Sequence, residues 1–223
     1  MRSISAPVCA LVSVGLDSAI LLHRLSATGA HILPLYLRGG LYWEATEMSF
    51  LQRLLQALKS PRLAPLQIVD VPLRTLYGAH WSLTGRGIPG ARSADAAVYL
   101  PGRNALLLTH AAIVCAQRRI SKIALGTLQD NPFGDASPYF FAQLAACLTR
   151  ALSHPIRIIA PLRHTSKAQL IRSAAAAGVP LHVTFSCLRP RANRHCGCCN
   201  KCAERQRAFR VAGIPDPTTY SVR

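Results

Sequence analysis

Short apolar runs alternate along this chain with longer segments in which apolar residues recur at helical spacing. The apolar runs, rich in β-branched and aliphatic residues, predict strands at 7–14, 31–37, 66–71, 122–125 and 156–160. The segments between and after them predict helices at 18–26, 46–58, 104–118, 137–150 and 166–178. Because parallel strands are joined through crossover helices, this order predicts an α/β fold with a doubly wound, Rossmann-like parallel sheet.

The last of these helices has a sequence signal at each end. Ser166 is followed three residues later by Gln169, which is the pattern of a capping box. Gly178 and then Pro180 follow the last apolar position, as expected where a helix stops. The chain should therefore enter and leave this helix at defined points.

The alternation of strands and helices is interrupted twice. Residues 72–100 form a long, Gly-rich, irregular stretch, and a loop of that length inside a compact domain predicts a lid over a site. Residues 187–202 form a compact cysteine-rich loop, followed by a short basic helix at 203–212. We expect an α/β domain over residues 1–180 and a C-terminal segment over 181–223 that packs on it.

The charge of the chain is strongly positive, with 26 Lys and Arg against nine acids and a formal net charge of +17. This balance favours polyanionic partners such as nucleotides or nucleic acid, although the basic residues are scattered from Arg24 to Arg223 rather than gathered in a stripe. No apolar stretch reaches the roughly 18 residues needed to cross a bilayer. The N-terminus does not resemble a signal peptide, so we expect a cytoplasmic protein without a membrane partner.

The junction of the first strand and the first helix predicts a phosphate-binding loop. Unpaired backbone N–H groups and the positive helix end favour a phosphate there, and a glycine lets the backbone approach it closely. The two serine hydroxyls can donate, and the aspartate could carry Mg²⁺ or simply cap the helix. The loop consists of Ser13, Val14, Gly15, Leu16, Asp17 and Ser18. The Walker pattern G-x-x-x-x-G-K-[ST] is absent, which disfavours a kinase of that type.

Five of the eight cysteines lie between residues 187 and 202, and four of them have the spacing C-x8-C-x2-C-x2-C. Such short spacings let thiolates converge on one tetrahedral ion, for which zinc is preferred and an iron–sulfur cluster is the alternative. The predicted ligands are Cys187, Cys196, Cys199 and Cys202. A closed set of four ligands leaves no open position, so the metal should be structural. Cys198 is left over from this set.

Several motifs together resemble a known family. Ser13–Ser18 is similar to the S-G-G-x-D-S loop of the PP-loop ATP pyrophosphatases (adenine nucleotide alpha hydrolase-like proteins), with Val14 in place of the first Gly. With this loop, a C-terminal S-C…C-G-x-C-x-x-C zinc site is typical of the 7-cyano-7-deazaguanine synthase (QueC) family. Residues 100–104 are similar to the family's V-P-x-R-N, and residues 166–168 are similar to its S-K-A. Residues 207–209 and 212–218 match the pattern that follows the zinc site at the end of the family's sequences.

The resemblance implies a function. Members of that family use ATP to convert 7-carboxy-7-deazaguanine and ammonia into 7-cyano-7-deazaguanine, which requires adenylation of a carboxylate. The cofactors implied are ATP, Mg²⁺ and a structural Zn²⁺, and we expect a homodimer. The residues predicted to be catalytic are Asp17, Arg103 and Lys167. The residues predicted to contact the substrate are Asn104, Asp130 and Asp135.

Two alternatives stay open at this point. The basic composition would also suit a PP-loop enzyme that modifies or binds tRNA, although thiolation relatives need cysteines that are here better used for zinc. Tyr139 stands where the family usually has an acid, and the loop at 126–135 is about two residues short. These departures suggest a divergent member, such as a QueC-like enzyme of antiphage defence that modifies a protein or a nucleic acid.

Overall fold

Five parallel strands form the centre of the protein. A computed structural model describes residues 6–129 and 131–221. The strands are β1 (Val8–Leu11), β2 (Ile32–Arg38), β3 (Gln67–Asp70), β4 (Lys122–Ala124) and β5 (Arg157–Ile159). Their order in the sheet is β3-β2-β1-β4-β5, and each neighbouring pair is parallel. The prediction of a doubly wound parallel sheet is confirmed.

Helices connect the strands and cover the sheet. The longer ones are α1 (Leu16–Ala27), α2 (Glu44–Ala57), α5 (Arg103–Gln117), α6 (Pro138–Leu152), α7 (Lys167–Ala176) and α8 (Asn200–Ala212). The order of strands reverses at β1, so right-handed crossovers place α1 and α2 on one face and α5 and α6 on the other. Parallel sheets bind ligands at such a reversal, beside the carboxyl ends of the strands. Here that point lies between β1 and β4.

The core surrounds the two central strands. All of β2 except Arg38 is buried, and Cys9 and Ala10 of β1 are fully buried. From the helices, Leu21 of α1 and Leu108 of α5 pack into the same cluster with no exposed surface. Burial on both faces explains why these strands read as continuous apolar runs rather than as alternating patterns.

The segment 72–100, predicted as an irregular lid, contains short ordered elements. They are α3 (Arg74–Tyr77), α4 (Trp81–Thr84) and a 3₁₀ turn at Asp95–Val98. Its second half lies against the cysteine loop, because Gly90 forms a β-bridge with Cys199. The N–H of Ala91 also donates to the carbonyl of Cys198 at 3.0 Å. This part of the segment therefore supports the C-terminal region.

Helix ends agree closely with the sequence signals in one case and less well in another. The hydroxyl of Ser166 accepts from the N–H of Gln169, and the side chain of Gln169 accepts from the N–H of Ser166, which completes the predicted capping box. Helix α8, by contrast, begins at Asn200 and not at residue 203.

Within the described residues, none of the helices combines the length and apolar character that a membrane crossing requires.

Candidate active site and metal centre

The loop between β1 and α1 is folded around its own hydroxyl groups. The N–H of Ser13 donates to the hydroxyl of Ser18 at 3.1 Å, and the N–H of Gly15 donates to the hydroxyl of Ser13 at 3.2 Å. Gly15 is the residue before the helix and has an extended backbone. The first-turn N–H groups of α1 have no acceptor within the helix, so this loop can receive a phosphate.

Val14 occupies the position where the PP-loop motif has its first glycine. Its side chain is fully buried in the core. Its carbonyl accepts a 2.8 Å hydrogen bond from the N–H of Phe185, in the C-terminal segment. Val14 has no positive φ, so the backbone needs no glycine here. The substitution adds a buried side chain to the core.

Gly126, just after β4, makes a close approach to Asp17 that the sequence did not reveal. A Cβ atom at this position would lie 3.2 Å from the backbone carbon, the carbonyl oxygen and the Cβ of Asp17. Such contacts are tighter than usual, so a larger residue here would push the end of β4 and the first turn of α1 apart by a few tenths of an ångström. Gly126 therefore sets the width of the site beside Asp17.

Asp17 faces a lysine on one side and leaves its other oxygen without a partner. Its Oδ2 lies 3.3 Å from Nζ of Lys167, the first residue of α7. Its Oδ1 is shielded from solvent and has no hydrogen-bond partner among the described residues. A shielded carboxylate oxygen without a partner is costly, and a bound cation would satisfy it. Asp17 thus fits the role of a Mg²⁺ ligand.

Glu204 of α8 completes this group and was missed from the sequence. Its Oε1 accepts from Lys167 Nζ at 2.8 Å, and its Oε2 accepts from Lys201 Nζ at 2.6 Å. Burial alone raises the pKa of Glu204, but the charges of Lys167 and Lys201 lower it to about 2. Burial lowers the pKa of Lys167, but Asp17 and Glu204 outweigh this effect and raise it. Glu204 and Lys167 are therefore both charged at neutral pH.

Two predicted substrate contacts, Asn104 and Asp135, bind each other. The backbone N–H of Asn104 donates to Asp135 Oδ2 at 3.0 Å, and the side-chain amide donates to Oδ1 at 3.3 Å. Asp135 is buried and holds the first turn of α5. Asn104 and the exposed Arg103 line a cleft at the phosphate loop. Asp130 lies outside the described residues, and substrate contact by any of these residues stays a prediction.

Two clefts meet at Asp17. The smaller, of about 240 Å³, runs along the phosphate loop and is bordered by Tyr36 and Arg103. The larger, of about 410 Å³, lies between the start of α7 and α8. Its charged and aromatic lining includes Asp95, Phe133, Lys167, Lys201, Glu204 and Arg207. Asp17, Gly126 and Asn131 line both clefts, so a group bound in one can reach a group bound in the other.

Two acids in the first turn of α2 are buried, and one of them, Glu47, lines the smaller cleft. Glu47 accepts a 2.6 Å hydrogen bond from the hydroxyl of Tyr36. Burial is the largest influence on Glu47 and raises the pKa of its carboxyl, although Tyr36 and Arg103 act in the opposite direction. Glu44 accepts from the N–H groups of Gly39 at 2.7 Å and Gly40 at 2.9 Å. Sequence reasoning assigned these acids no role.

The four predicted metal ligands converge in a buried cluster. The Sγ atoms of Cys187, Cys196, Cys199 and Cys202 all lie within 4.8 Å of one another. The separation is 3.9 Å between Cys196 and Cys202 and 4.0 Å between Cys187 and Cys199. Tetrahedral zinc with thiolate ligands at about 2.3 Å requires sulfur separations near 3.8 Å, so the cluster fits that ion.

Backbone N–H groups surround the cluster as expected for thiolate ligands. Cys196 Sγ accepts from the N–H groups of Cys198 at 3.4 Å and Cys199 at 3.3 Å. Cys199 Sγ accepts from Leu188 at 3.5 Å. The thiol of Cys198 points elsewhere, to the guanidinium of Arg189 at 3.3 Å. Cys198 is therefore the cysteine outside the cluster, as the spacing indicated.

The sheet order, the serine-rich loop after β1 and the cleft at the switch point together define a PP-loop ATP pyrophosphatase fold. The fold recurs in a protein from Methanocaldococcus jannaschii described as the predicted subunit of tRNA methyltransferase. That structure has a TM-score of 0.53 at 17% identity and covers 76% of this chain and 74% of its own. At this identity the comparison supports the fold alone.

Sequence comparison gives the particular family. The model of the family described as queuosine biosynthesis protein QueC matches residues 7–213. A 7-cyano-7-deazaguanine synthase from Anaeromyxobacter dehalogenans is 32% identical over 226 residues, covering 95% of this chain and 94% of that protein. One from Brucella ovis is 32% identical over 228 residues, covering 94% and 91%. The chain belongs to the QueC family.

Proposed function

We propose that this protein is an ATP-dependent ligase that converts 7-carboxy-7-deazaguanine and ammonia into 7-cyano-7-deazaguanine. Membership of the QueC family and the names of its relatives support the substrate. The observation that carries the mechanism is the pair of clefts that meet at Asp17. An adenylating enzyme must bring the α-phosphorus of ATP to a carboxylate, and two adjoining clefts provide for this.

The smaller cleft is the proposed nucleotide site. The triphosphate would lie against the first turn of α1, where N–H groups and the serine hydroxyls can donate to it. Asp17 would hold Mg²⁺, which neutralises phosphate charge when bound. Arg103, at the edge of the same cleft, supplies a cation for the charge that develops on the departing pyrophosphate.

The larger cleft is the proposed site of the carboxylate substrate. Its volume of about 410 Å³ suits a bicyclic base, and Phe133 offers a flat apolar wall that stacks on Tyr99. Lys201 and Arg207 line the same cleft and can hold an anionic group. Lys167 lies beside Asp17, where this cleft opens onto the phosphate loop.

The chemistry follows from this arrangement. An oxygen of the substrate carboxylate attacks the α-phosphorus and pyrophosphate leaves, which gives an acyl adenylate. Ammonia then attacks the acyl carbon, loses a proton, and AMP leaves to give the amide. The amide oxygen then attacks the α-phosphorus of a second ATP, and pyrophosphate and one amide proton leave. Loss of AMP and of the second amide proton gives the nitrile. The protein orients the reactants and stabilises charge, and no side-chain nucleophile is needed.

Zinc is the ion we propose for the four-cysteine cluster. It would have a structural role, because four thiolates leave no open coordination position. The buried position of the sulfur atoms and their N–H donors support this choice. Nucleic-acid binding by the basic surface and assembly into a homodimer stay predictions.

One experiment tests the proposed reaction directly. Purified protein is incubated with ATP, Mg²⁺, ammonia and 7-carboxy-7-deazaguanine, and the products are identified by mass spectrometry. The expected products are the amide, the nitrile, AMP and pyrophosphate. Absence of AMP and pyrophosphate with every carboxylate tested would overturn the proposal. Release of ADP and phosphate would show that the carboxylate is activated by phosphorylation.

A further inference from the structure

The first turn of α8 connects the metal cluster to the phosphate loop. Cys202 of this turn belongs to the four-cysteine cluster. Two residues later, Glu204 accepts a 2.8 Å hydrogen bond from Lys167, and Lys167 lies 3.3 Å from Asp17. A continuous line of contacts thus runs from the cluster to the carboxylate that is proposed to bind Mg²⁺.

This turn of α8 is fixed from several directions. The N–H of Asn200 donates to the carbonyl of Pro89, and its side-chain amide donates to the carbonyl of Ser93, both at 2.9 Å. The buried Arg205 donates to Thr218 at 2.6 Å and to the carbonyl of Leu181 at 3.2 Å. The position of Glu204 is therefore set by the cluster and its surroundings, independently of any nucleotide.

Lys167 stands between two carboxylates and lies closer to one of them. Its Nζ is 2.8 Å from Glu204 and 3.3 Å from Asp17. An ammonium and a Mg²⁺ ion would compete for the same carboxylate, because each is attracted by its charge. Without Glu204, Asp17 would be the one of these two carboxylates left to pair with Lys167. The ammonium would then move closer to Asp17. The divalent cation would then bind Asp17 more weakly.

We propose that Glu204 is a positioning residue that holds Lys167 away from Asp17, so that Asp17 keeps its carboxylate for the cation that accompanies ATP. The four-cysteine cluster sets this geometry by fixing the start of α8. The inference rests on the proposed function in one respect, the assignment of Asp17 as the Mg²⁺ ligand. The shielded Oδ1 of Asp17, without a partner among the described residues, supports that assignment.

The test compares Glu204→Gln with the wild type in zinc-loaded protein. The variant keeps the size of the side chain and removes its charge. ATP binding is measured by titration calorimetry at a series of Mg²⁺ concentrations. We expect the Mg²⁺ concentration at which ATP affinity reaches half its maximum to rise about tenfold, because loss of one charged hydrogen bond has an effect of this size. Zinc content and the thermal unfolding midpoint should stay near their wild-type values.

A double-mutant cycle shows whether Glu204 acts through Lys167. A Lys167→Met background lacks the ammonium that Glu204 is proposed to hold away from Asp17, so Glu204→Gln should cause no further change in the Mg²⁺ requirement there. Glu204→Asp, which keeps the charge, should restore most of the wild-type behaviour. Arg210→Gln, an exposed position near the end of the same helix, is the matched control and should leave the requirement unchanged.

Several outcomes would contradict the inference. One is an unchanged Mg²⁺ requirement in Glu204→Gln. Another is an effect of Glu204→Gln that is equally large with and without Lys167. A third is a loss of zinc or of folding in this variant, which would show that Glu204 supports only the cluster. The proposed reaction is tested separately. A wild type that binds Mg²⁺ and ATP but activates no carboxylate would overturn the reaction, and the Mg²⁺ requirements of wild type and Glu204→Gln could still be compared. Wild type that binds no ATP would overturn both.

Discussion

The backbone N–H of Phe185 donates a 2.8 Å hydrogen bond to the carbonyl of Val14, so the C-terminal segment is bonded directly to the phosphate loop. Both side chains are buried, Val14 completely and Phe185 to within 1% of its surface. The valine that departs from the PP-loop motif is thus part of the core beneath the site.

Val14→Ala should therefore lower stability and leave nucleotide binding largely intact. Removing two buried methyl groups leaves a cavity, and we expect a loss on the order of 2 kcal/mol in the free energy of unfolding. Urea denaturation measures the loss, and calorimetry measures ATP affinity. A large drop in affinity with unchanged stability would show that Val14 shapes the phosphate loop itself.

Asp17→Asn should preserve the fold and the zinc content while AMP formation falls about a hundredfold or more, the scale for loss of an electrostatic group in a transition state. Gly15 is the N-cap of α1, so Asp17 could stabilise the helix only through its charge near the N-terminus, and loss of that role would cost about 1 kcal/mol or less and leave turnover unchanged. The rate of pyrophosphate release and the thermal midpoint separate the two roles. Normal turnover in a fully stable variant would mean that the Mg²⁺ ligand lies elsewhere.

The metal cluster should bind one zinc per chain. Replacement of Cys187, Cys196, Cys199 or Cys202 by Ser should abolish tight zinc binding and lower stability, because each Sγ lies within 4.8 Å of the other three. Cys198→Ser is the matched control and should bind zinc normally. Elemental analysis with thermal unfolding measures both effects. Iron and sulfide in the purified protein, or a stronger effect at Cys198 than at Cys199, would refute the assignment.

Glu47→Gln should stabilise the protein more as the pH rises. The pKa of Glu47 is raised in the folded state, chiefly by burial, so at a pH between its unfolded and folded values the native state binds more protons. The wild type therefore loses stability as the pH rises through that window, whereas glutamine does not titrate. Thermal midpoints of both proteins are measured from pH 4 to pH 8. The midpoint of Glu47→Gln should exceed that of the wild type by an amount that grows as the pH rises. Parallel curves would show that Glu47 has an ordinary pKa.

Much of the fold could be predicted from the sequence, because the central strands are buried on both faces and form continuous apolar runs. The four-residue helices at Arg74–Tyr77 and Trp81–Thr84 were missed, since they are too short to show a period. The start of α8 was placed three residues late, because Asn200 and Cys202 are weak helix formers. In each of these cases tertiary contacts decided the structure.

The site was less predictable than the fold. Local motifs located the phosphate loop and the cysteines, whose partners lie nearby in the chain. Glu204 escaped notice because its partner Lys167 is 37 residues away, and helical spacing does not identify a partner at that distance. Asp135 looked available for a substrate, yet its carboxylate binds the first turn of α5. Such pairings depend on the packing of elements, which local patterns do not specify.

The bond between Phe185 and Val14 also bears on cooperativity. The expected boundary at residue 180 would separate the two partners and would leave the buried carbonyl of Val14 without its donor. Unfolding of the C-terminal segment alone would therefore carry the cost of that unpaired carbonyl. Free energy that the cysteine cluster would gain from a bound ion would thus be linked to the stability of the loop after β1.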